Sequence, residues 1–140
     1  MSLQLLVAIY KRDRYATYPV PYAYYEHFAL YIDDGPKSIV FELDGCPPHS
    51  IRPSMSIRRP EHNCFRRYLE NRYVGEICMD DIGKIRELIS NVRVKSRPKG
   101  RDCQNYVLDM MNALVEGGVL EDTPDFYSVV EELIARREDR

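Results

Sequence analysis

The run Asp102-Cys103-Gln104-Asn105-Tyr106-Val107 joins a thiol to the expected start of a helix. Asp102 is of the type that caps helices, and Val107, Met110, Met111 and Leu114 follow at helical spacing, so a helix is expected from about Cys103 to Val115. A cysteine in a first helical turn lies in the field of about half a positive charge. It also sits beside backbone N–H groups that have no acceptor within the helix. Both favour the thiolate, which is the nucleophilic form. Helical counting puts Cys103 on the same face as Val107, Met110, Met111 and Leu114, so the sulfur points along the side that packs. The ordinary alternative is a buried core cysteine, because free cysteine is among the most buried residue types.

A thiol nucleophile needs a base that titrates near neutrality, and imidazole supplies one. His27 opens the apolar run His27-Phe28-Ala29-Leu30-Tyr31-Ile32. In a strand, Phe28, Leu30 and Ile32 face one way, and His27, Ala29 and Tyr31 face the other. A lone strand histidine is more often structural than catalytic, so spacing alone leaves both readings open. Cys46-Pro47-Pro48-His49 and His62-Asn63-Cys64 together hold the ligand types of a structural zinc site, but their spacing is poor. Arg52, Arg58, Arg59, Arg66, Arg67 and Arg72 form a basic region interleaved with Glu61 and Glu70. Most such runs are solvated faces; gathered at the mouth of a site, they would favour an anionic substrate.

These groups have to be positioned by regular elements. Leu3, Leu5, Val7 and Ile9 alternate in a first strand, and Tyr18-Pro19-Val20-Pro21-Tyr22 is extended or turned. Residues 26–32 and 38–43, separated by Asp33-Asp34-Gly35-Pro36, read as a hairpin. Ile51, Pro53, Met55 and Ile57 alternate with Arg52, Ser54, Ser56 and Arg58 as an edge strand, where proline and charge are tolerated. Phe65, Tyr68 and Leu69 have helical spacing within 61–72, after which 73–79 returns to strand character. A helix near 82–90 is expected from Ile82, Ile85, Leu88 and Ile89, with Asp80 and Asp81 as caps. Arg97-Pro98-Lys99-Gly100 is a loop by composition. Gly117-Gly118 ends the cysteine helix, and Thr123-Pro124 starts a last one with Phe126, Val130, Leu133 and Ile134 on its buried face. Residues 135–140 are expected to fray. The expected architecture is α+β, with a four- to five-stranded, mostly antiparallel sheet carrying packed helices.

At 140 residues the chain suits one domain, spanning 1–140. A composition of 44% hydrophobic and 30% charged residues is that of a folded globule, and a net charge of -2 argues against a bulk-basic nucleic-acid binder. No apolar run nears the roughly 20 residues of a membrane-spanning helix, and residues 3–9 have no basic leader, so no integral membrane association is expected. Four irregularly spaced cysteines without a secretion signal suggest a reducing compartment and a cytoplasmic protein.

In its order, a histidine heading a strand and then an Asp-Cys-Gln-aromatic helix start, the chain resembles the permuted papain-like proteins. That group includes the lecithin:retinol acyltransferase-like enzymes and the NlpC-type cell-wall peptidases. The resemblance runs over about residues 3–120. It takes in a strand at Val74-Gly75-Glu76-Ile77 and the paired glycines, and is nearest to small uncharacterised fungal proteins. Papain itself has the cysteine before the histidine; here His27 comes first. The resemblance implies a permuted papain-like fold, with Cys103 as nucleophile and His27 as general base. Such a pair acts on the acyl group of an amide, ester or thioester through a thioester intermediate. It implies an oxyanion site at the start of the cysteine helix, around Gln104, and a third polar residue on the strand after the histidine. Glu42 is the first choice for that residue and Asp44 the second. The expected partner is a small molecule or peptide bearing an acyl group, and no cofactor is expected. Gln104-Asn105-Tyr106 stands in place of the Asn-Cys-Glu-His-Phe continuation of the better-known relatives, and no lipid-anchoring hydrophobic tail is expected; both departures weaken the carry-over of their phospholipid or retinoid substrates and leave specificity open. The other readings are an inactive papain-like binding module, or a cyclase or isomerase of small metabolites.

Overall fold

The computed structural model describes residues 1–11, 26–44, 52–62, 67–94 and 102–138. Among these, five strands form one sheet: β1 (Ser2–Tyr10), β2 (His27–Asp33), β3 (Ile39–Asp44), β4 (Arg52–Ile57) and β5 (Tyr68–Cys78). Their order is β4-β3-β2-β1-β5, and every neighbouring pair is antiparallel. Three α-helices follow: α1 (Ile82–Ser90), entered through a 3-10 turn at Met79–Asp81, α2 (Asp102–Glu116) and α3 (Pro124–Glu138). None of the described helices is long and apolar enough to cross a membrane.

Leu5 to Tyr10 of β1 and Phe28 to Ile32 of β2 are apolar throughout because both faces of these stretches are buried. Leu5, Val7 and Ile9 of β1 join Phe28, Leu30 and Ile32 of β2 on a first face, where Val107, Met110, Met111 and Leu114 of α2 pack. Leu6, Ala8 and Tyr10 join Ala29, Tyr31 and Val40 on a second, smaller cluster across the sheet. α2 lies against β2 and β3, and α3 lies against β5. Burying a leucine- or methionine-sized side chain contributes about 1.5–3 kcal/mol, so the α2 seam is the main tie between helix layer and sheet.

Local chemistry closes the elements. Gly35 takes φ 63° in the turn between β2 and β3, where Ser38 N–H donates to Gly35 O at 3.1 Å. Asp81 stands at the N-cap of α1 but makes no side-chain cap bond. The 3-10 turn does that work instead, since Ile82 N–H donates to Met79 O. Thr123 does cap α3, its Oγ1 accepting from Phe126 N–H at 3.3 Å. α3 continues through Glu138, past the point where fraying was expected.

One expected element is corrected. Residues 61–72 were expected to be helical, yet Tyr68 to Arg72 are the first half of β5. The free edge of β1 decides this, because Leu6 to Tyr10 pair with Tyr73 to Tyr68 and tertiary pairing overrides a weak local period. Val74 is taken up in a bulge between Leu5/Gly75 and Leu6/Tyr73. Residues 63–66, including Phe65, lie outside the described residues.

Candidate functional site

His27 is the first residue of β2 and is 1% exposed. Strand alternation turns it to the face of Ala29 and Tyr31, where its ring lies against Tyr10, centroids 5.5 Å apart and planes at 48°. Tyr10 is its register partner on β1. Glu42, on β3, alternates away from Phe41 and Leu43 onto the same face and is 2% exposed. Its Oε1 lies 2.6 Å from His27 Nε2. An ionised carboxylate only accepts, so this bond assigns the proton to Nε2 and leaves Nδ1 as the basic nitrogen.

The other oxygen of Glu42 is also engaged: Arg58 Nη2 donates to Oε2 at 2.6 Å. Arg58 follows β4, and its backbone N–H donates to Ser38 O at 2.9 Å, carrying the β3–β4 ladder one residue further. Alternation puts Arg58 on the face of Arg52, Ser54 and Ser56, which is also the face of Glu42 across the Glu42–Ser54 pair. Tyr10 O–H donates to Pro60 O at 2.6 Å and so pins the segment after Arg58. Burial pushes the Tyr10 phenol above its ordinary value, with the Arg58 side chain opposing, so it is a neutral donor at physiological pH.

Cys103 is the second residue of α2, partly exposed, and packs against the first-face cluster. Its neighbour Gln104 is 1% exposed, and its Nε2 donates to the backbone carbonyl of Glu26 at 2.9 Å. The residue after the thiol is thereby bonded to the residue before the imidazole, which sets the start of α2 beside the start of β2. Gln104 Oε1 is buried, and no donor among the described residues reaches it. The Glu26 carboxylate is gripped by Arg136 of α3 through two bonds of 3.0 Å. Glu26 therefore ties both α2 and α3 to the head of β2. On the helix side of the sheet, a groove of about 430 Å³ is lined in part by Phe41, Met55, Ile89 and Tyr106. Tyr106 is one turn beyond Cys103 on α2.

Of the residues singled out in the sequence, His27 and Glu42 are in direct contact, and Cys103 is tied to the same strand end through Gln104. The Gln104 side chain donates one of its two amide N–H groups to Glu26 O. Asp44 ends β3, and its side chain lies outside the described residues. Arg58 and Tyr10 were not singled out as site residues. The strand alternation that brings Arg58 to the face of Glu42 was legible; the pairing of β3 with β4 was not. Among the described residues, the remaining arginines of that region do not gather at one mouth. Arg59 pairs with Asp33 and Glu61, Arg72 with Glu70 and Glu132, Arg52 and Arg67 are exposed, and Arg66 lies outside the described residues. Cys46, His49 and Cys64 of the zinc reading also lie outside them. Among the described residues no group of three or more His, Cys, Asp or Glu could hold a metal ion. No family model, curated protein or solved structure matches the chain.

Proposed function

We propose that this protein is a thiol-dependent hydrolase or acyltransferase with a permuted papain-like arrangement, acting on an amide, ester or thioester. Cys103 is the nucleophile, His27 the general base and Glu42 the residue that orients the imidazole. The observation that carries this reading is the Gln104–Glu26 hydrogen bond, which holds the neighbours of the thiol and of the imidazole 2.9 Å apart. The Glu42 bond to Nε2 supports it by directing the basic Nδ1 away from the carboxylate. Alternation sends His27 to the second face while Cys103 packs on the first. In this reading they meet at the head of β2, around its first residue His27.

In the reaction, the Cys103 proton passes to Nδ1 and the thiolate adds to the acyl carbon. The bond to the leaving group breaks as the imidazolium returns the proton to it. Water or another acceptor then releases the acyl group from sulfur by the reverse steps. The first turn of α2 offers backbone N–H groups to the oxyanion, and the groove beside Tyr106 offers room for an apolar part of the substrate.

The burial of His27 at 1% exposure favours a second reading, a binding module on the same scaffold in which the polar cluster is structural. Alkylation separates the two. Cys78 is exposed and serves as the internal reference for an ordinary thiol. With iodoacetamide at about pH 6.5, Cys103 is expected to react at least about tenfold faster than Cys78, and to lose that lead in His27→Ala. Equal rates in the parent protein would overturn the enzymatic reading.

A further inference from the structure

We infer that Arg58 is a positioning residue of this site, which neutralises Glu42 so that His27 rests as an unprotonated base at neutral pH. The inference rests on the proposed roles of His27 and Glu42 but concerns a residue outside them. Glu42 is 2% exposed and divides its two oxygens between His27 Nε2 and Arg58 Nη2, each at 2.6 Å. A carboxylate that deeply buried has to be matched by positive charge. Arg58 supplies one full charge, so Arg58, Glu42 and a neutral imidazole together carry none. With that charge removed, the buried cluster carries -1, and the nearest group able to cancel it is the imidazole, which does so by taking up a proton. A protonated His27 cannot accept the thiol proton. Arg58 thus decides whether the Glu42–His27 pair holds a base or an acid.

Among the described residues, the other groups around the imidazole do not replace Arg58. Tyr10 of β1 faces the ring and Tyr68 of β5 stands edge-on to Tyr10, but both phenols are pushed upward by burial and stay neutral. Glu26, next in the chain, has its carboxylate held by Arg136. Cys103 of α2 is the proposed proton donor. Arg59, adjacent to Arg58 in sequence, is bonded to Asp33 and Glu61, which makes it a matched control.

The experiment follows the His27 ring resonances by NMR through a pH titration of the full chain, assigning His27 by the loss of its signals in His27→Ala. Arg58→Gln keeps a side-chain donor for Glu42 but drops the charge, and its His27 midpoint is expected to move up by about one pH unit or more. Arg58→Lys keeps the charge and is expected to stay near the parent, as is Arg59→Gln. The Arg58→Gln shift should vanish in the Glu42→Gln background, where there is no buried charge to neutralise. An unchanged midpoint in Arg58→Gln, or an equal shift in Arg59→Gln, overturns the inference. The titration needs no catalytic turnover: a slow Cys103 with the predicted shift would sink the enzymatic reading alone, and a fast Cys103 without the shift would sink only the role of Arg58.

Discussion

Tyr31 shows how strongly the second face of the sheet is sealed. Its ring is 1% exposed and its hydroxyl accepts from Asn71 Nδ2 at 3.2 Å. Burial pushes its phenol up to about 12. Below about pH 10 both folded and unfolded chains keep this proton, and its contribution to stability is fully present. From there to about pH 12 the unfolded chain has lost the proton while the folded one retains it, so stability falls as pH rises. Tyr31→Phe is expected to cost about 1 kcal/mol at neutral pH for the lost hydrogen bond and to flatten the alkaline decline. Urea unfolding on both sides of pH 10 measures this; a variant whose stability falls in parallel with the parent would show that the phenol is not the source. The same burial logic makes the Glu42 cluster costly to break, since Glu42 and His27 are both buried and hydrogen-bonded to each other.

At the scale of elements, the end of α2 is a well-defined helix stop. Val119 N–H donates to Leu114 O at 3.1 Å and Gly118 N–H to Val115 O at 3.0 Å, a Schellman closure with Gly118 at φ 77°. A β-carbon at Gly118 meets no atom within 4 Å, so the cost of substitution is backbone strain alone. Gly118→Ala is expected to lose about 1–2 kcal/mol by chemical denaturation, with the parent helix content by circular dichroism. A neutral result would mean that the turn relaxes out of the left-handed region. Near the opposite end of α2, Gln104 reaches Glu26, so the start of this helix is tied to the head of β2. β5 teaches the complementary lesson. A segment with weak helical spacing became a strand because β1 had an unpaired edge to fill.

For the molecule as a whole, packing and ion pairs contribute unequally. Leu114 is fully buried in the main core at the α2 seam, whereas the Arg136 side chain, which bridges α3 to Glu26 and Glu70, is 21% exposed. Leu114→Ala is expected to destabilise by about 3 kcal/mol through lost transfer energy and the cavity left behind. Arg136→Ala should cost below about 1 kcal/mol in stability, because partly exposed ion pairs are screened and entropically expensive. Urea midpoints for the two variants test the ranking, and a larger loss for Arg136→Ala would mean that α3 docks mainly through charge.

Elements whose signal is local can be read from the order of residues alone. The alternation of β1 to β4, the thiol in a first helical turn, the glycine stop at Gly118 and the Thr123 cap of α3 follow from periodicity and residue type, and the structure has them. Glu42 was legible as a residue turned away from Phe41 and Leu43, a consequence of the two-residue strand period. The non-local features come from folding: Tyr68 to Arg72 pair with β1, Arg58 takes the second oxygen of Glu42, Tyr10 lies on His27, and Gln104 reaches Glu26. Each of these depends on which strands become neighbours and in what register. That is settled by burial summed over the whole sheet, and it leaves no mark at any single position along the chain.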